Sequence, residues 1–505
     1  MRYIEGVSRK RKIAYPEYID DYITQDNPVR VIEAFVDSLD LVELGFERAI
    51  PAKSGRPGYN PADMLKLYMY GYMNKTTSSR DLEREAGRNI EVIWLLRKLK
   101  PDHKTIAEFR RLNKEAIQKV FHQLVALYKG WDLFGKEVIA VDGSKFRASN
   151  SKKNNYNKKN LQRRIKHIDK KLEEYMNELD ENDANETDSR MPDKEEIRSR
   201  IRELSNRKKT YQSYKDKLED DRINEISTTD KDARLMSVNN NGVDVCYNVQ
   251  TAVDNKHCLI VDCDVINNPS DQGQLSKMGK KAMDALNVDS IKALADKGYY
   301  NADDLKTCEK EGIKTYVAKQ VFSNATGERE FYLDRFIYDK EKDVYICPAG
   351  HELNCTRKKA VGKGTKRLNY KNSKACSECE YKDLCTKSKT GRMVTRHINH
   401  DFLYTVDQRT SRNKELYKTR QMIVEHPFGT VKRGWGISYF LTRGLASVKT
   451  EASLAFLAYN MKRVINILGV KEIIKRLKGD FYSFNLFRLH INNYWHKGRV
   501  VETVV

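Results

Sequence analysis

The sequence predicts an α/β fold, a mixed sheet with helices on both faces, preceded by an all-helical N-terminal region. Before about residue 132 apolar residues recur at helical spacing, whereas short β-branched runs begin after Glu137. Later in the chain, predicted strands alternate with predicted helices, an order typical of a sheet that helices cover. We therefore predict a helical domain at residues 1–132, an α/β domain at 133–470 and a C-terminal tail at 471–505.

Composition predicts a soluble protein with a polyanionic partner. The chain has 505 residues, and its 93 Lys and Arg exceed 71 Asp and Glu to give a net charge of +22. This excess favours nucleic acid through phosphate neutralisation, although a basic protein with no nucleic-acid role is the alternative. No apolar run is long enough for a membrane span. Nine scattered cysteines do not form a disulfide framework, so a reducing cytoplasm is expected.

The N-terminal region contains one well-marked helix start. Asn60, Pro61 and Asp63 supply a cap, a first-turn proline and an early acid. The segment that follows, MLKLYMYGYM, is apolar and aromatic, so this helix is predicted to be largely buried. Thr105 and Glu108 have the spacing of a capping box for a later helix. The region suits either a DNA-binding helical domain or a helical packing module.

A long charged insertion interrupts the predicted sheet at about residues 157–221. Its apolar residues follow alternating spacings of three and four on either side of an acidic linker, which predicts an antiparallel helical hairpin. The first helix is densely basic, with Lys158, Lys159, Arg163, Arg164, Lys166, Lys170 and Lys171. Three interpretations stay open: a basic strip along DNA phosphates, an apolar seam that docks a second subunit, and a solvated decoration.

Strands and helices alternate on the far side of this insertion. YNVQTAVD and LIVDCDVIN predict paired strands, and IKALADKGYY and IKTYVAK predict two more. Helices are expected at about 271–286 and 302–310, and again from about Ser411 through Glu425. This order places most of the predicted sheet after the insertion.

Two acids end predicted strands and a third lies on a predicted helix. VIAVDGSKF predicts a buried strand ending at Asp142, the next acid is Asp296 in IKALADKGYY, and the third is Glu425. Taken singly, each is more simply explained as a turn, cap or solvated residue. Together they can converge at one end of a sheet. Carboxylates in that number suit Mg²⁺ or Mn²⁺, and two such ions about 4 Å apart assist phosphodiester cleavage.

Residues 320–405 are predicted to form a second insertion, a β-hairpin followed by a cysteine-rich stretch. Of the five cysteines within it, four are candidate metal ligands, namely Cys347, Cys376, Cys379 and Cys385. The last three have the spacing C-x2-C-x5-C, and four thiolates suit a closed, structural Zn²⁺ site. His351 or Cys355 can replace one ligand, and unliganded reduced cysteines are the alternative. Since this stretch has few apolar residues, the metal is expected to hold it together.

Six blocks between about residues 30 and 470 carry a resemblance to a known family. They are GRPGYNPADMLKLYMYGYMNKTTSSRDLE, WLLRKLKPDHKTIAEFR, VIAVDGSKF, VINNPSDQGQL, ALADKGYYNADDL and YKTRQMIVEHPFGTVKR. With them the chain resembles the DDE transposases of bacterial insertion sequences, in the group with an InsH-type N-terminal helical domain. The resemblance implies a ribonuclease-H-like catalytic fold and the triad Asp142, Asp296 and Glu425, which would hold two Mg²⁺ or Mn²⁺ ions. It also implies cleavage at terminal inverted repeats.

Basic and aromatic residues around the glutamate are expected to bind DNA phosphate near the cut. Related transposases place a Tyr, an Arg and a Lys there, and the residues in this sequence are Tyr417, Arg420 and Lys432. One departure is that Arg420 lies five residues before Glu425, where the family pattern has four. Pro427 is also expected to interrupt or kink the helix. A solvated basic helix face is the alternative.

The resemblance implies a transposase that cleaves double-stranded DNA at the element ends and joins the freed 3′-hydroxyl to target DNA. We expect a homodimer or larger assembly in the synaptic complex, in the bacterial cytoplasm at the nucleoid and away from membranes. A catalytically inactive repressor of the element is the first alternative. A ribonuclease-H-like repair nuclease is the second, and it leaves the N-terminal blocks unexplained. The intact acids favour the active transposase.

Overall fold

The structure is a computed structural model that describes most of the chain. The residues described are 18–51, 54, 57–184, 194–220, 224–238, 242–319, 323–361 and 365–480. Within them, no helix is long and apolar enough to cross a membrane. The acidic linker predicted at 181–193 lies largely outside these residues, as do residues 481–505 of the predicted tail.

Helices and strands are numbered in chain order. The helices are α1 Val29–Asp37, α2 Pro61–Met73, α3 Ser79–Arg88, α4 Ile90–Leu95, α5 His103–Leu112, α6 Lys114–Gly130, α7 Lys158–Ala184, α8 Lys194–Asp220, α9 Leu275–Leu286, α10 Ala302–Lys310, α11 Ser373–Ser377, α12 Lys382–Cys385, α13 His400–Arg412, α14 Lys414–Phe428, α15 Leu445–Leu468 and α16 Val470–Asp480. The strands are β1 Val138–Arg147, β2 Asn155–Asn157, β3 Glu225–Ser227, β4 Arg234–Val238, β5 Gly242–Asp254, β6 Ile260–Ile266, β7 Ile291–Ala295, β8 Ile313–Val317, β9 Ile337–Asp339, β10 Val344–Ile346, β11 Glu352–Val361, β12 Thr365–Lys371 and β13 Met393–His397.

The chain divides into two compact units. The first contains the described residues up to Leu124, Thr430–Ile437 and those from Lys449 onward, and the second contains Val125–Gly429 and Ser438–Val448. The predicted domain limits at residues 132 and 470 stay predictions, and the compact units divide the chain differently.

The first unit is helical, as predicted. Asn60 caps α2 by accepting a hydrogen bond from the Ala62 backbone N–H at 2.9 Å, and Pro61 occupies the first turn. Helix α2 is buried on nearly every face, since almost all of its residues are shielded from solvent. It packs against α1, α4 and α5, and α1 also packs against α16.

The predicted capping box of α5 is wrong. Asp102, one residue before the helix, accepts hydrogen bonds from the backbone N–H groups of Lys104 and Thr105. The Thr105 hydroxyl itself donates to Asp102 at 2.8 Å. Asp102 is therefore the N-cap residue that satisfies the free backbone N–H groups at the start of α5, whereas the prediction had Thr105 in this role.

The second unit contains a mixed six-stranded sheet, which confirms the mixed sheet predicted from sequence. Strand β1 lies in the middle, antiparallel to β5 and parallel to β7, and β8 extends the parallel part. The other edge of β5 carries β4 along its first half and β6 along its second. Helices α9 and α14 both pack against β1, β5 and β7. The sheet core is apolar because Val, Ile, Leu and Ala fill the buried positions of these strands.

The helical insertion forms an antiparallel pair, α7 with α8, above the small sheet β2–β3. Its seam is a closed apolar cluster formed by Tyr156, Leu161, Ile168, Tyr211 and Leu218. These side chains pack against one another within the hairpin. Ile168, Tyr211 and Leu218 of the predicted seam thus pack inside the insertion, and docking of a second subunit on the seam stays a prediction.

The cysteine-rich insertion is larger than the predicted β-hairpin. Five strands form a sheet in the order β13-β12-β11-β10-β9. Contrary to the expectation of few apolar residues, the sheet has its own core, made of Phe336, Tyr345, Leu353, Tyr370 and Val394. This insertion therefore has a source of stability besides any bound metal.

Candidate active site

Asp142 and Asp296 occupy neighbouring positions on the parallel pair β1–β7, Asp142 within β1 and Asp296 directly after β7. Val141 of β1 pairs with Ala295 of β7, so Asp142 and Asp296 are the next residues on the two strands. Strand β1 does not end at Asp142 as predicted. Its pairing with β5 continues to Arg147, which lies opposite Cys246. The prediction of a strand end at the Asp-Gly pair is wrong, but both acids do lie at one edge of the β1–β7 pair.

The environment of the Asp142 carboxyl group disfavours its negatively charged form. Burial raises the pKa of its carboxyl to about 6, and the nearby carboxylates of Asp271 and Asp296 raise it further. The backbone N–H of Gly143, which donates to Asp142 at 2.9 Å, and the charge of Arg420 act in the opposite direction. A desolvated carboxylate with two acidic neighbours is what a cation site needs before its cation binds.

Asp296 also has the local role that its sequence position indicated. It caps a short 3₁₀ turn, Lys297–Tyr299, and accepts a hydrogen bond from the Lys297 backbone N–H at 2.6 Å. Its carboxylate is half-buried. This hydrogen bond uses Oδ1 of Asp296 and does not involve Oδ2.

Helix α14 brings two of the predicted phosphate-binding residues to this edge. The Tyr417 hydroxyl donates to the backbone carbonyl of Ala295, next to Asp296, at 3.2 Å. The Arg420 guanidinium lies 6.0 Å from the Tyr417 ring centre, and its charge lowers the pKa of Asp142. Both residues therefore stand beside the aspartates, despite the five-residue spacing to Glu425.

The contacts described so far involve Tyr417 and Arg420 and do not include Glu425 or Lys432. Glu425 is exposed on α14, where its carboxylate accepts a hydrogen bond from Gln421 at 2.8 Å. Pro427 does not end the helix, since α14 runs to Phe428 and continues as a π-helical segment, Gly429–Gly434. Lys432 lies in that segment, most of which belongs to the first unit. The roles of Glu425 and Lys432 stay predictions.

The donor chemistry at this edge fits a hard divalent cation. Asp142, Asp271 and Asp296 supply carboxylate oxygens, which Mg²⁺ and Mn²⁺ prefer. Among the described residues, however, no group of three or more His, Cys, Asp or Glu side chains is arranged so that it could hold a metal ion. Asp296 is half-buried and Glu425 is exposed.

A buried polar network supports the backbone at Asp142, and sequence reasoning did not assign it. Asp271 accepts hydrogen bonds from the side-chain amides of Asn248 at 2.6 Å and Gln250 at 2.8 Å, and from Lys145 at 3.3 Å. Gln250 in turn accepts from the Tyr299 hydroxyl, three residues after Asp296. The network thus connects β1 and β5 to the turn that follows β7.

Gly143 is packed directly against this network. A Cβ atom at Gly143 would lie 2.3 Å from Gln250 Nε2, 2.5 Å from Asp271 Oδ1 and 2.9 Å from Asn248 Oδ1. Only glycine fits here without displacing the amides. A sequence signal for the network does exist: Asn248 and Gln250 are polar and two residues apart, so they lie on one face of the predicted strand, and both are fully buried in the structure.

The four cysteines named from sequence surround one small cavity in the second insertion. The cavity, of about 30 Å³, is lined by Cys347, Cys376, Cys379, Cys385 and His351 among others. Exposed Cys355 does not line it. A tight turn carries Cys347, whose sulfur accepts from the His351 backbone N–H at 3.3 Å. Burial raises the pKa of Cys385, and the other three thiols raise it further.

Gly143→Ala is expected to disturb the active-site edge more than the fold. The new methyl group displaces the Gln250 and Asp271 side chains, at a cost of about 1–3 kcal/mol typical of overpacking. We expect a lower melting temperature and loss of the DNA cleavage that the sequence resemblance implies. Gly130→Ala is a matched control, because a Cβ there meets no atom within 4 Å. If Gly143→Ala keeps wild-type stability and activity, the network does not constrain this position.

Comparison with known families gives two matches. Residues 346–465 match the model described as "Transposase DDE domain". Residues 17–112 match the model described as "Transposase domain (DUF772)". The first match includes Tyr417, Arg420, Glu425 and the four cysteines of the cavity, but neither Asp142 nor Asp296.

Neither the curated proteins nor the solved structures contain a significant match. One match lies in the helical N-terminal region and the other includes α14, which contacts the Ala295 carbonyl beside Asp296. Three of the six sequence blocks described above fall within the matched residues. Both family matches support the identification of the chain as an insertion-sequence DDE transposase.

Proposed function

We propose that this transposase cleaves DNA at the terminal inverted repeats of its element and joins the freed 3′-hydroxyl to target DNA. The observation that carries the proposal is the strand register that sets Asp142 beside Asp296, with Arg420 of α14 close to Asp142. Two acids and a guanidinium at one sheet edge suit an in-line displacement at a phosphodiester.

In this proposal Asp142, Asp296 and Glu425 hold two Mg²⁺ or Mn²⁺ ions. When bound, such ions activate the attacking oxygen and stabilise the leaving one. Bringing Glu425 into the site requires its exposed side chain to leave Gln421 and turn toward the aspartates. Asp271, through its three hydrogen bonds, keeps the backbone around Gly143 in place while the acids bind their ligands.

Tyr417, Arg420 and Lys432 are proposed to bind the DNA backbone near the cut. Arg420 has a planar guanidinium that can contact two phosphate oxygens at once. Tyr417 helps to orient the Arg420 guanidinium. The Tyr417 hydroxyl donates to the Ala295 carbonyl, and the Tyr417 ring lies beside the guanidinium. Lys432 supplies a further positive charge after the helix.

The catalytic fold is proposed to be ribonuclease-H-like. The order β5-β1-β7-β8, with β1 antiparallel to β5 and parallel to β7, supports this proposal. So does an acid on the central strand β1 and another directly after β7. The partners are proposed to be double-stranded element ends and target DNA, bound by a homodimer or larger assembly.

We also propose that Cys347, Cys376, Cys379 and Cys385 hold one structural Zn²⁺. Their convergence on one cavity supports it, because two helices and a turn of the insertion bring four thiols together. The thiols require small side-chain rotations to become ligands, since no such group is in place among the described residues. Bound zinc would tie α11 and α12 to the β10–β11 turn.

Single substitutions of the triad test the catalytic proposal. Asp142→Asn, Asp296→Asn and Glu425→Gln should each lower single-turnover cleavage of element-end DNA by about 100-fold or more, with binding affinity largely kept. Glu415→Gln on the same helix is the matched control, because the Glu415 side chain is 87% exposed and pairs only with a neighbouring lysine. A triad variant that cuts at the wild-type rate removes that residue from the site. If wild-type protein binds element ends but never cuts them, the repressor alternative replaces the proposal.

The raised pKa of Asp142 predicts a pH-dependent stability effect in metal-free protein. The folded-state pKa of about 6 lies above the ordinary value of 3.8, so ionised Asp142 lowers stability above pH 6, and this cost vanishes below about pH 4. Asp142→Asn should therefore raise the free energy of unfolding at pH 8, by up to about 3 kcal/mol. The gain should shrink as the pH falls from 6 to 4. Exposed Asp289→Asn is the control, and a gain from Asp142→Asn that is equal at pH 8 and pH 4 would contradict the account.

Elemental analysis tests the zinc proposal. Protein purified without chelators should contain about one zinc per chain. Cys379→Ser should lose the metal, and Cys355→Ser, which alters an exposed thiol outside the cavity, should keep it. Because the insertion has its own apolar core, zinc loss should loosen α11 and α12 without unfolding the five-stranded sheet. Absence of zinc from the wild-type protein overturns the proposal.

A further inference from the structure

A basic groove lies on the helical insertion, between α7 and α8. Its volume is about 450 Å³, and its lining includes Asn160, Arg163, Arg164, His167, Arg207 and Tyr211. Three arginines and a histidine therefore share one concave surface. One of the three interpretations of the sequence was a basic strip along α7, whereas this groove combines side chains from both helices.

Arg164 is held rigidly on one side of the groove. Its guanidinium donates to Asn160 Oδ1 at 2.7 Å, to the Tyr211 hydroxyl at 3.2 Å and to the Lys153 carbonyl at 3.2 Å. It also stacks on Tyr156 at 4.8 Å from the ring centre. All of these partners are neutral, so they fix the orientation of Arg164 without cancelling its charge.

The groove keeps an uncompensated positive charge. Arg163 and Arg207 are exposed, and among the described residues neither they nor Arg164 form an ion pair with a carboxylate. A side-chain hydrogen bond to Tyr211 raises the pKa of Arg207, and the charge of Glu203 adds a smaller effect. Elsewhere on the hairpin, cations are paired with acids: Lys158 with Glu219, Lys171 with Glu174 and Lys208 with Asp169.

The chemistry of the groove selects an anion with several oxygen atoms. A fixed guanidinium and two adjustable ones supply many N–H donors in planar forks, the geometry that phosphate oxygens accept best. Because Arg164 is already oriented, little side-chain entropy is lost when a ligand binds it. The groove is open, so a phosphate that is part of a long polymer can enter it.

We propose that this groove binds a backbone phosphate of duplex DNA outside the active site, independently of base sequence. This inference takes one thing from the function proposed above, namely that the polyanion is DNA. The apolar cluster between α7 and α8 packs the two helices into an arm, and the three arginines of the groove lie on this arm. The arm then extends the DNA contact beyond the site of cutting.

A matched pair of double variants of the full chain tests the groove. Arg163→Gln with Arg207→Gln removes its two exposed guanidiniums and leaves Arg164 in place. Arg198→Gln with Arg202→Gln removes two exposed arginines from α8 outside the groove, so the net charge is equal. Affinity for a random-sequence duplex is measured by fluorescence anisotropy over a series of salt concentrations, with melting temperatures as a check of folding.

The groove variant should bind about tenfold more weakly, and its slope of log K against log salt should flatten by about one unit. The control variant should stay close to wild type in both measurements. Equal effects of the two variants would overturn the proposal, because charge alone would then explain the loss. A loss that appears only with inorganic phosphate as the probe, with duplex affinity unchanged, would overturn it as well.

Cleavage by the wild-type protein is measured separately, so the two proposals can fail independently. If wild-type protein does not cut but the groove variant still loses affinity, the groove stands and the catalytic proposal falls. If wild-type protein cuts and the groove variant binds as the control does, the groove proposal falls alone.

Discussion

The parallel pairing of β1 with β7 is the constraint on which the active-site edge depends. It sets Val141 opposite Ala295, so two carboxylates emerge side by side from the middle of a buried sheet. Burial raises the pKa of Asp142, and repulsion by Asp271 and Asp296 raises it further. The Gly143 N–H and the charge of Arg420 offset part of this effect. In the proposed function, a bound cation would offset the remainder.

The polar network beneath the aspartates fixes that arrangement in space. Asn248 and Gln250 are fully buried amides, and unsatisfied they would each destabilise the protein. Asp271 and Tyr299 satisfy them, and burial raises the pKa of Tyr299 so that its hydroxyl remains a donor. The same contacts leave no room for a side chain at Gly143. The Asp-Gly pair is therefore explained by packing against β5, and the strand does not end there as the sequence predicted.

Local pattern was sufficient for the elements with strong periodicity. The buried helix after Asn60, the strands before Asp142 and Asp296, and the helix carrying Glu425 all appear as expected. Features that depend on distant neighbours were not predictable. The length of β1 is set by its pairing with β5, and Asp271 acquires its role only through amides more than twenty residues away along the chain. At α5 two polar residues three positions apart, Asp102 and Thr105, were both possible caps, and local spacing favoured the wrong one.

The central claim is that Asp142 and Asp296 share a divalent cation with Glu425. Anomalous diffraction from crystals soaked in Mn²⁺ tests it most directly, because it locates the ion without relying on activity. The account predicts a Mn²⁺ peak within about 2.5 Å of carboxylate oxygens of both aspartates, with Glu425 turned toward it. A Mn²⁺ peak that contacts neither aspartate, or none at this edge in crystals that hold Mn²⁺ elsewhere, would contradict the account.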